Sequence, residues 1–251
     1  MINKVSSRAK NVSENVSKNV SIANETIDNN KNAYIYEDNN SDTLIISFAG
    51  NGFPGGKYPI FTFYNFLQEY NVDKLFVRDL KTKYYLTSLL NTTTDLYSTI
   101  DMLKNIINSK HYKKKIAIGC SSGAYAAILF GHLLQCDHVI AFNPQTVLNN
   151  DKFDIINDNI INVTTCKYLT NYSNDIFFQK CLDLKSFIPF YPQIQIHYSK
   201  YANKGIDKKY AEHIKSDKCI LHEYNSNSHL LAQELKANNQ LHIIINNVIN
   251  L

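Results

Sequence analysis

Lys115-Ile-Ala-Ile-Gly119-Cys120-Ser121-Ser122-Gly123-Ala124-Tyr125-Ala126-Ala127-Ile128-Leu129-Phe130 is the stretch on which the fold turns. Its first part reads as a short apolar strand, and Ser122 to Leu134, rich in Ala and Leu, as a helix. Gly119-x-Ser121-x-Gly123 lies between them. A strand that passes straight into a helix needs a very tight turn, and the residue at its apex holds a strained backbone. The flanking positions must be small, which Gly119 and Gly123 supply. Ala126 and Ala127 let the helix approach the sheet closely. Ser121 then projects its hydroxyl at the head of a helix, where unpaired N–H groups favour developing negative charge. Ser122 is the rival hydroxyl, but only Ser121 is centred between the glycines, and Cys120 is expected to point away. The bland alternative is a glycine-rich turn with an exposed serine.

Working outward, strands alternate with helices. Thr43 to Phe48 is a nearly continuous apolar run, as expected for a strand covered on both faces. Lys74–Val77, His138–Phe142, Ile194–Tyr198 and Cys219–Tyr224 read as further strands, with Ala33–Tyr36 at an edge. Helices are expected over Phe61–Tyr70, Thr94–Asn108 and Asp207–Ile214, and one or two more close the chain. Residues 147–190 read as irregular and aromatic with short helices. This order predicts a three-layer α/β/α sandwich around a mostly parallel sheet, spanning residues 33–251.

A serine hydroxyl is a poor nucleophile until a base takes its proton. With a strand–Ser–helix turn, the acid and then the histidine are expected later in the chain. Of the eight histidines, His111 and His132 fail on order or position, and His138, His197, His213, His222 and His242 fall in strands or helices. His229 lies in the loop Asn225-Ser-Asn-Ser-His229, after the last strand and before a helix, so it is the candidate base. Asp207 is the only carboxylate in the loop after Ile194–Tyr198. It is the candidate acid, though its place at an expected helix N-cap also suits a plain cap; Asp217 is the weaker rival. The oxyanion of an acyl-transfer intermediate needs two backbone donors. Ser122 is one candidate. Asn51 or Gly52 supplies the other, in Phe48-Ala49-Gly50-Asn51-Gly52-Phe53-Pro54-Gly55-Gly56. Phe187, Phe190 and Tyr191, in the aromatic segment, are expected to line the substrate pocket.

The 251 residues suffice for one such domain, and 44% hydrophobic residues against 19% charged ones exclude wholesale disorder. A net charge of +4 is far from the concentrated charge of a nucleic-acid binder. No apolar run reaches the roughly 18 residues of a membrane span. The five cysteines are widely spaced with no CxxC pair, which argues against a zinc site or a disulfide framework and for free thiols in a reducing, cytoplasmic setting. The first segment lacks the apolar core of a signal peptide. Residues 1–32 carry a period-four repeat, with Val12, Val16 and Val20, that reads as a flexible or weakly helical tail without chemistry.

With these pieces assembled, the sequence resembles the α/β-hydrolase superfamily over roughly residues 40–250. The resemblance implies Gly119-Cys-Ser121-Ser-Gly123 as the nucleophile elbow, Asp207 as acid, His229 as base and the Gly50–Gly52 loop as the oxyanion loop. The chain is also similar to a bacterial subgroup of hydrolases and acyltransferases associated with surface polysaccharide genes. That similarity rests on Leu75-Phe-Val-Arg78-Asp79, Tyr84-Tyr85 and Ala141-Phe-Asn-Pro144-Gln145-Thr146. The expected function is a serine hydrolase acting on a small-molecule or glycan ester, with no metal or organic cofactor. The alternatives are an acyltransferase using the same residues on a sugar hydroxyl, and a non-catalytic hydrolase-like module that binds a partner.

Overall fold

The computed structural model describes residues 31–52, 60–158 and 162–251. Nearly all of the expected N-terminal tail lies outside these residues, as do Gly55 and Gly56. Seven strands form one sheet: β1 (Tyr34–Glu37), β2 (Thr43–Phe48), β3 (Asp73–Val77), β4 (Lys114–Cys120), β5 (His138–Phe142), β6 (Gln193–Ser199) and β7 (Cys219–Tyr224). Their order is β1-β3-β2-β4-β5-β6-β7. Only β1 is antiparallel, at the edge beside β3. The chain moves outward from β2 to β3 and then crosses back to β4, so the order reverses between β2 and β4. Loops leaving the carboxyl ends of those two strands therefore diverge and leave a crevice.

The period-two alternation of each strand sends neighbours to opposite faces. Leu44, Ile46, Phe48, Ala117, Val139 and Ala141 join the larger core cluster, which also takes residues from α2 (Leu96–Asn108), α3 (Ser122–Leu133), α4 (Val163–Thr170), α5 (Ile176–Cys181) and α6 (Ile206–His213). Ile45, Ile116, Ile118, Ile140 and Phe142 face the second cluster, under α1 (Tyr64–Leu67), α7 (Leu231–Ala237) and α8 (Gln240–Ile249). Both faces are covered, which is why the central strands β2 and β5 carry almost no polar alternation. α3 is buried from Ser122 to Gly131, so its unbroken apolar run marks a central helix rather than an amphipathic one. α2 opens on a capping box, Asp95 Oδ1 accepting from the Ser98 N–H at 2.7 Å.

The helix expected over Phe61–Tyr70 shrinks to one turn. Phe63 stands at φ 64° directly before it, while Phe61, Phe66 and Leu67 are buried; burying that many side chains in a short link overrides helix propensity. The expected irregular segment holds α4 and α5 and the shorter turns Lys152–Ile156 and Leu184–Phe187. No helix among the described residues is long and apolar enough to cross a membrane.

Candidate active site

β4 delivers Ser121 to the carboxyl edge of the sheet, where the strand order reverses. Its backbone lies at φ 55°, ψ −122°, a conformation that costs an L-residue about 1–3 kcal/mol and persists only where the surroundings enforce it. The two glycines do so. A Cβ on Gly119 would lie 2.1 Å from the Gly123 carbonyl oxygen, and one on Gly123 2.2 Å from that of Phe48. The Ser121 N–H donates to the Phe142 carbonyl at 2.9 Å, which ties the apex of the turn to β5. Cys120 packs on the second cluster, and burial pushes its thiol up, away from the reactive thiolate.

Three candidates from distant parts of the sequence meet here. His229 Nε2 lies 2.9 Å from Ser121 Oγ, and His229 Nδ1 lies 2.7 Å from Asp207 Oδ2. A carboxylate can only accept, so Nδ1 carries the proton toward Asp207 and Nε2 is left free to accept from the serine hydroxyl. Asp207 is 1% exposed. Its second oxygen, Oδ1, accepts from Asn203 Nδ2 at 2.9 Å. Asp207 does not cap its helix as its position suggested: Gly205, at φ 81°, holds the N-cap, and Asp207 sits inside the first turn, where the helix dipole favours a carboxylate. The glycine takes the left-handed backbone, which leaves the aspartate side chain unspent on capping. Asp217 is exposed in the turn before β7, at the other end of the sheet.

The expected oxyanion donors lie beside the serine. Ser122 is the first residue of α3, so its N–H has no partner within the helix. Ser122 Oγ donates to Asn51 Oδ1 at 2.9 Å, which fastens the loop after β2 to the elbow. Gly52 follows at φ 78°. The root of this loop is held as well. Thr62 Oγ1 accepts from the Gly50 N–H at 3.3 Å, and the Tyr85 hydroxyl reaches the Ala49 carbonyl at 2.8 Å. Tyr85 is set by Asp79, which accepts the backbone N–H groups of Lys81, Lys83 and Tyr85. Burial pushes the Asp79 carboxyl up, against the pull of these three donors. Arg78 is fully buried, with its guanidinium 4.2 Å from the Phe61 ring centre and Nε donating to the Asn32 carbonyl.

Phe187, Phe190 and Tyr191 do not join the site. Phe187 and Phe190 pack on His132 in the last turn of α3, and His132 Nδ1 accepts from the Tyr191 N–H at 3.1 Å. Ser121 stands at the opposite end of the same helix, about 16 Å from His132 at ~1.5 Å per residue. The reason is topological. β6 runs parallel to β5, so the link must return to the amino edge before β6 begins, and its final residues are left there. They border a groove of about 610 Å³ between His132, Asp137, Phe190, Tyr191 and Lys218.

Two residues that sequence reading passed over belong to the site: Asn203, on Asp207, and Asn143, whose carboxamide touches the His229 loop. Nothing in their composition sets them apart in an Asn-rich chain; the signal was position, each directly following the carboxyl end of a central strand or its loop. Among the described residues no group of three or more His, Cys, Asp or Glu side chains is arranged to hold a metal ion.

No protein-family model and no curated protein sequence matches the chain. Solved structures do match. The capsule O-acetyltransferase of Neisseria meningitidis serogroup A superposes with a TM-score of 0.56 at 17% identity, covering 83% of this chain and 90% of that one. A histidine-to-alanine mutant of that enzyme in complex with CoA gives 0.55 at 16%, with the same coverage. A lipase-esterase related protein from Clostridium acetobutylicum gives 0.50 at 16% identity, covering 85% of this chain and 98% of that one. At such identities the likeness is one of fold.

Proposed function

We propose that this chain, which has the α/β-hydrolase fold, is a serine-dependent acyl-transfer enzyme acting on an ester. The observation that carries the reading is the unbroken line Asp207–His229–Ser121, at 2.7 and 2.9 Å, on a strained strand-to-helix turn. Ser121 Oγ attacks the ester carbonyl while His229 Nε2 takes its proton. Asp207 keeps the imidazole in the required tautomer and stabilises its charged form. The tetrahedral oxyanion is received by the N–H of Ser122 and by an N–H of Asn51 or Gly52. His229 returns the proton to the leaving atom, the oxygen of an ester or the sulfur of a thioester, an acyl-enzyme remains, and a second hydroxyl resolves it by the reverse steps. These residues move every proton the reaction requires.

When water is that second hydroxyl the enzyme is an esterase; when a glycan hydroxyl is, it is an O-acyltransferase. The likeness to a capsule O-acetyltransferase over 90% of its length, and a structure of its mutant with CoA, support the second outcome. The five free thiols support a cytoplasmic setting, where an acyl thioester donor is at hand. The assembled residues argue against a non-catalytic module. The test is turnover of p-nitrophenyl acetate by the full chain and by Ser121→Ala. Turnover that vanishes in the variant supports the reading, and equal turnover refutes it. With acetyl-CoA as donor, acetate released without an acceptor marks a hydrolase, and acetylated glycan marks a transferase.

A further inference from the structure

Ala141-Phe142-Asn143-Pro144-Gln145-Thr146 takes no part in the proton relay, yet it sits at the relay's centre. Asn143 follows the last residue of β5, is 1% exposed, and holds a left-handed backbone at φ 45°, which few residues other than Gly and Asn tolerate. Its polar groups are engaged on two sides. The backbone N–H donates to the His197 carbonyl at 2.9 Å, and Oδ1 accepts from the Ser199 N–H at 2.8 Å, both at the end of β6. Nδ2 donates to the His229 carbonyl at 2.8 Å and lies 3.4 Å from the Ser228 carbonyl. Ser199 Oγ donates to that Ser228 carbonyl as well, at 2.6 Å.

The stretch between β7 and α7 that carries His229 belongs to no strand or helix, so a side chain replaces the ladder that would otherwise fix it. One residue earlier, the Phe142 carbonyl accepts the Ser121 N–H. Nucleophile and base are thus anchored on two successive residues joined by a planar, stiff peptide. The separation of Ser121 Oγ and His229 Nε2 is referred to that single peptide rather than to two independent loops.

We propose that Asn143 is a positioning residue for the acyl-transfer step, its carboxamide fixing the His229 main chain against the strand end that anchors Ser121. The inference rests on the reading of Ser121 as nucleophile. The polarity of the group is essential, since one end must accept from Ser199 and the other donate to His229. A carboxylate at this place accepts at both ends, and glycine keeps the backbone conformation while removing the clamp.

The experiment follows phosphonylation of the full chain by a fluorophosphonate probe, recording rate constant and final stoichiometry for wild type, Asn143→Gly and Asn143→Asp. The expected result is a rate constant about 10- to 100-fold lower in both variants, the range a misplacement near 1 Å produces. Final labelling stays at the wild-type level, and in ester turnover the loss falls on kcat with KM unchanged. Unchanged rate constants overturn the proposal. So does lower stoichiometry with a wild-type rate in the fraction that labels, because that is the mark of a merely structural residue. Should Asn143→Gly fail to fold, Asn143→Asp, closest in shape, decides. Failure of the wild type itself to label overturns the reading of Ser121, an outcome distinct from variants that label as fast as wild type.

Discussion

Asp207 and Asp73 are both buried carboxylates, 1% and 0% exposed, one in the first turn of α6 beyond the carboxyl end of β6 and the other at the amino end of β3. Asp73 is saturated. Lys110 Nζ donates to it at 2.7 Å, the Tyr112 hydroxyl at 2.9 Å, and the Asn39 and Ser41 N–H groups at 2.9 and 3.0 Å. Burial alone raises a carboxyl, but these donors outweigh it and hold Asp73 at about 2, below the ordinary 3.8. Asp207 keeps one oxygen for Asn203 and the other for His229, whose far nitrogen faces a hydroxyl. Burial of a charge therefore does not mark the site. What matters is whether a partner can pass a proton onward. Lys110 turns to a second carboxylate, Asp38, and the Tyr112 hydroxyl to that of Tyr36, which returns to Asp73, so these contacts close within one cluster, whereas His229 continues to the Ser121 hydroxyl on the strained turn.

Substitutions that break this contrast rank by size. Ser121→Ala is expected to lower kcat on the order of 10⁶-fold, with the thermal midpoint little changed. Asp207→Asn keeps the shape but loses the preference for the productive imidazole tautomer, so kcat falls about 10⁴-fold while the protein still folds. Asp73→Asn is the mirror case. It leaves Lys110 with Asp38 as its remaining carboxylate, costs about 2 kcal/mol in urea unfolding, and leaves the labelling rate of the folded protein unchanged. Asp73 also sets an acid limit. Its folded pKa lies below the unfolded one, so its stabilisation, about 2 kcal/mol, is present above about pH 4 and is lost as pH falls toward 2. Unfolding titrations of wild type and Asp73→Asn should converge there. Tyr191→Ala, in the groove at the amino edge, is expected to alter neither rate nor stability by more than about 0.5 kcal/mol.

Strands 43–48 and 138–142 could be read to the residue because a strand covered on both faces is a nearly unbroken apolar run. The elbow could be read because its glycines have no other use. His229 could be read by elimination, the other histidines falling in regular elements or out of order. The aromatic residues 187–191 were misplaced because their composition suits a pocket, whereas the return path to β6 decides where they lie. Asn143 and Asn203 were given no role because a carboxamide acts through its partners, and a partner such as His229, 86 residues beyond Asn143, leaves no local pattern. Arg78-Asp79 and Tyr84-Tyr85 stood out in sequence without a role. In the structure Asp79 and Tyr85 brace the loop after β2, and the Tyr84 hydroxyl meets Gln145.

Mass spectrometry of the folded chain after fluorophosphonate treatment tests the central claim most directly. A single phosphonyl adduct on the peptide holding Ser121, present in wild type and absent in His229→Ala, is the expected result. An adduct on Ser122 or elsewhere, or folded protein that takes up no probe, would contradict it.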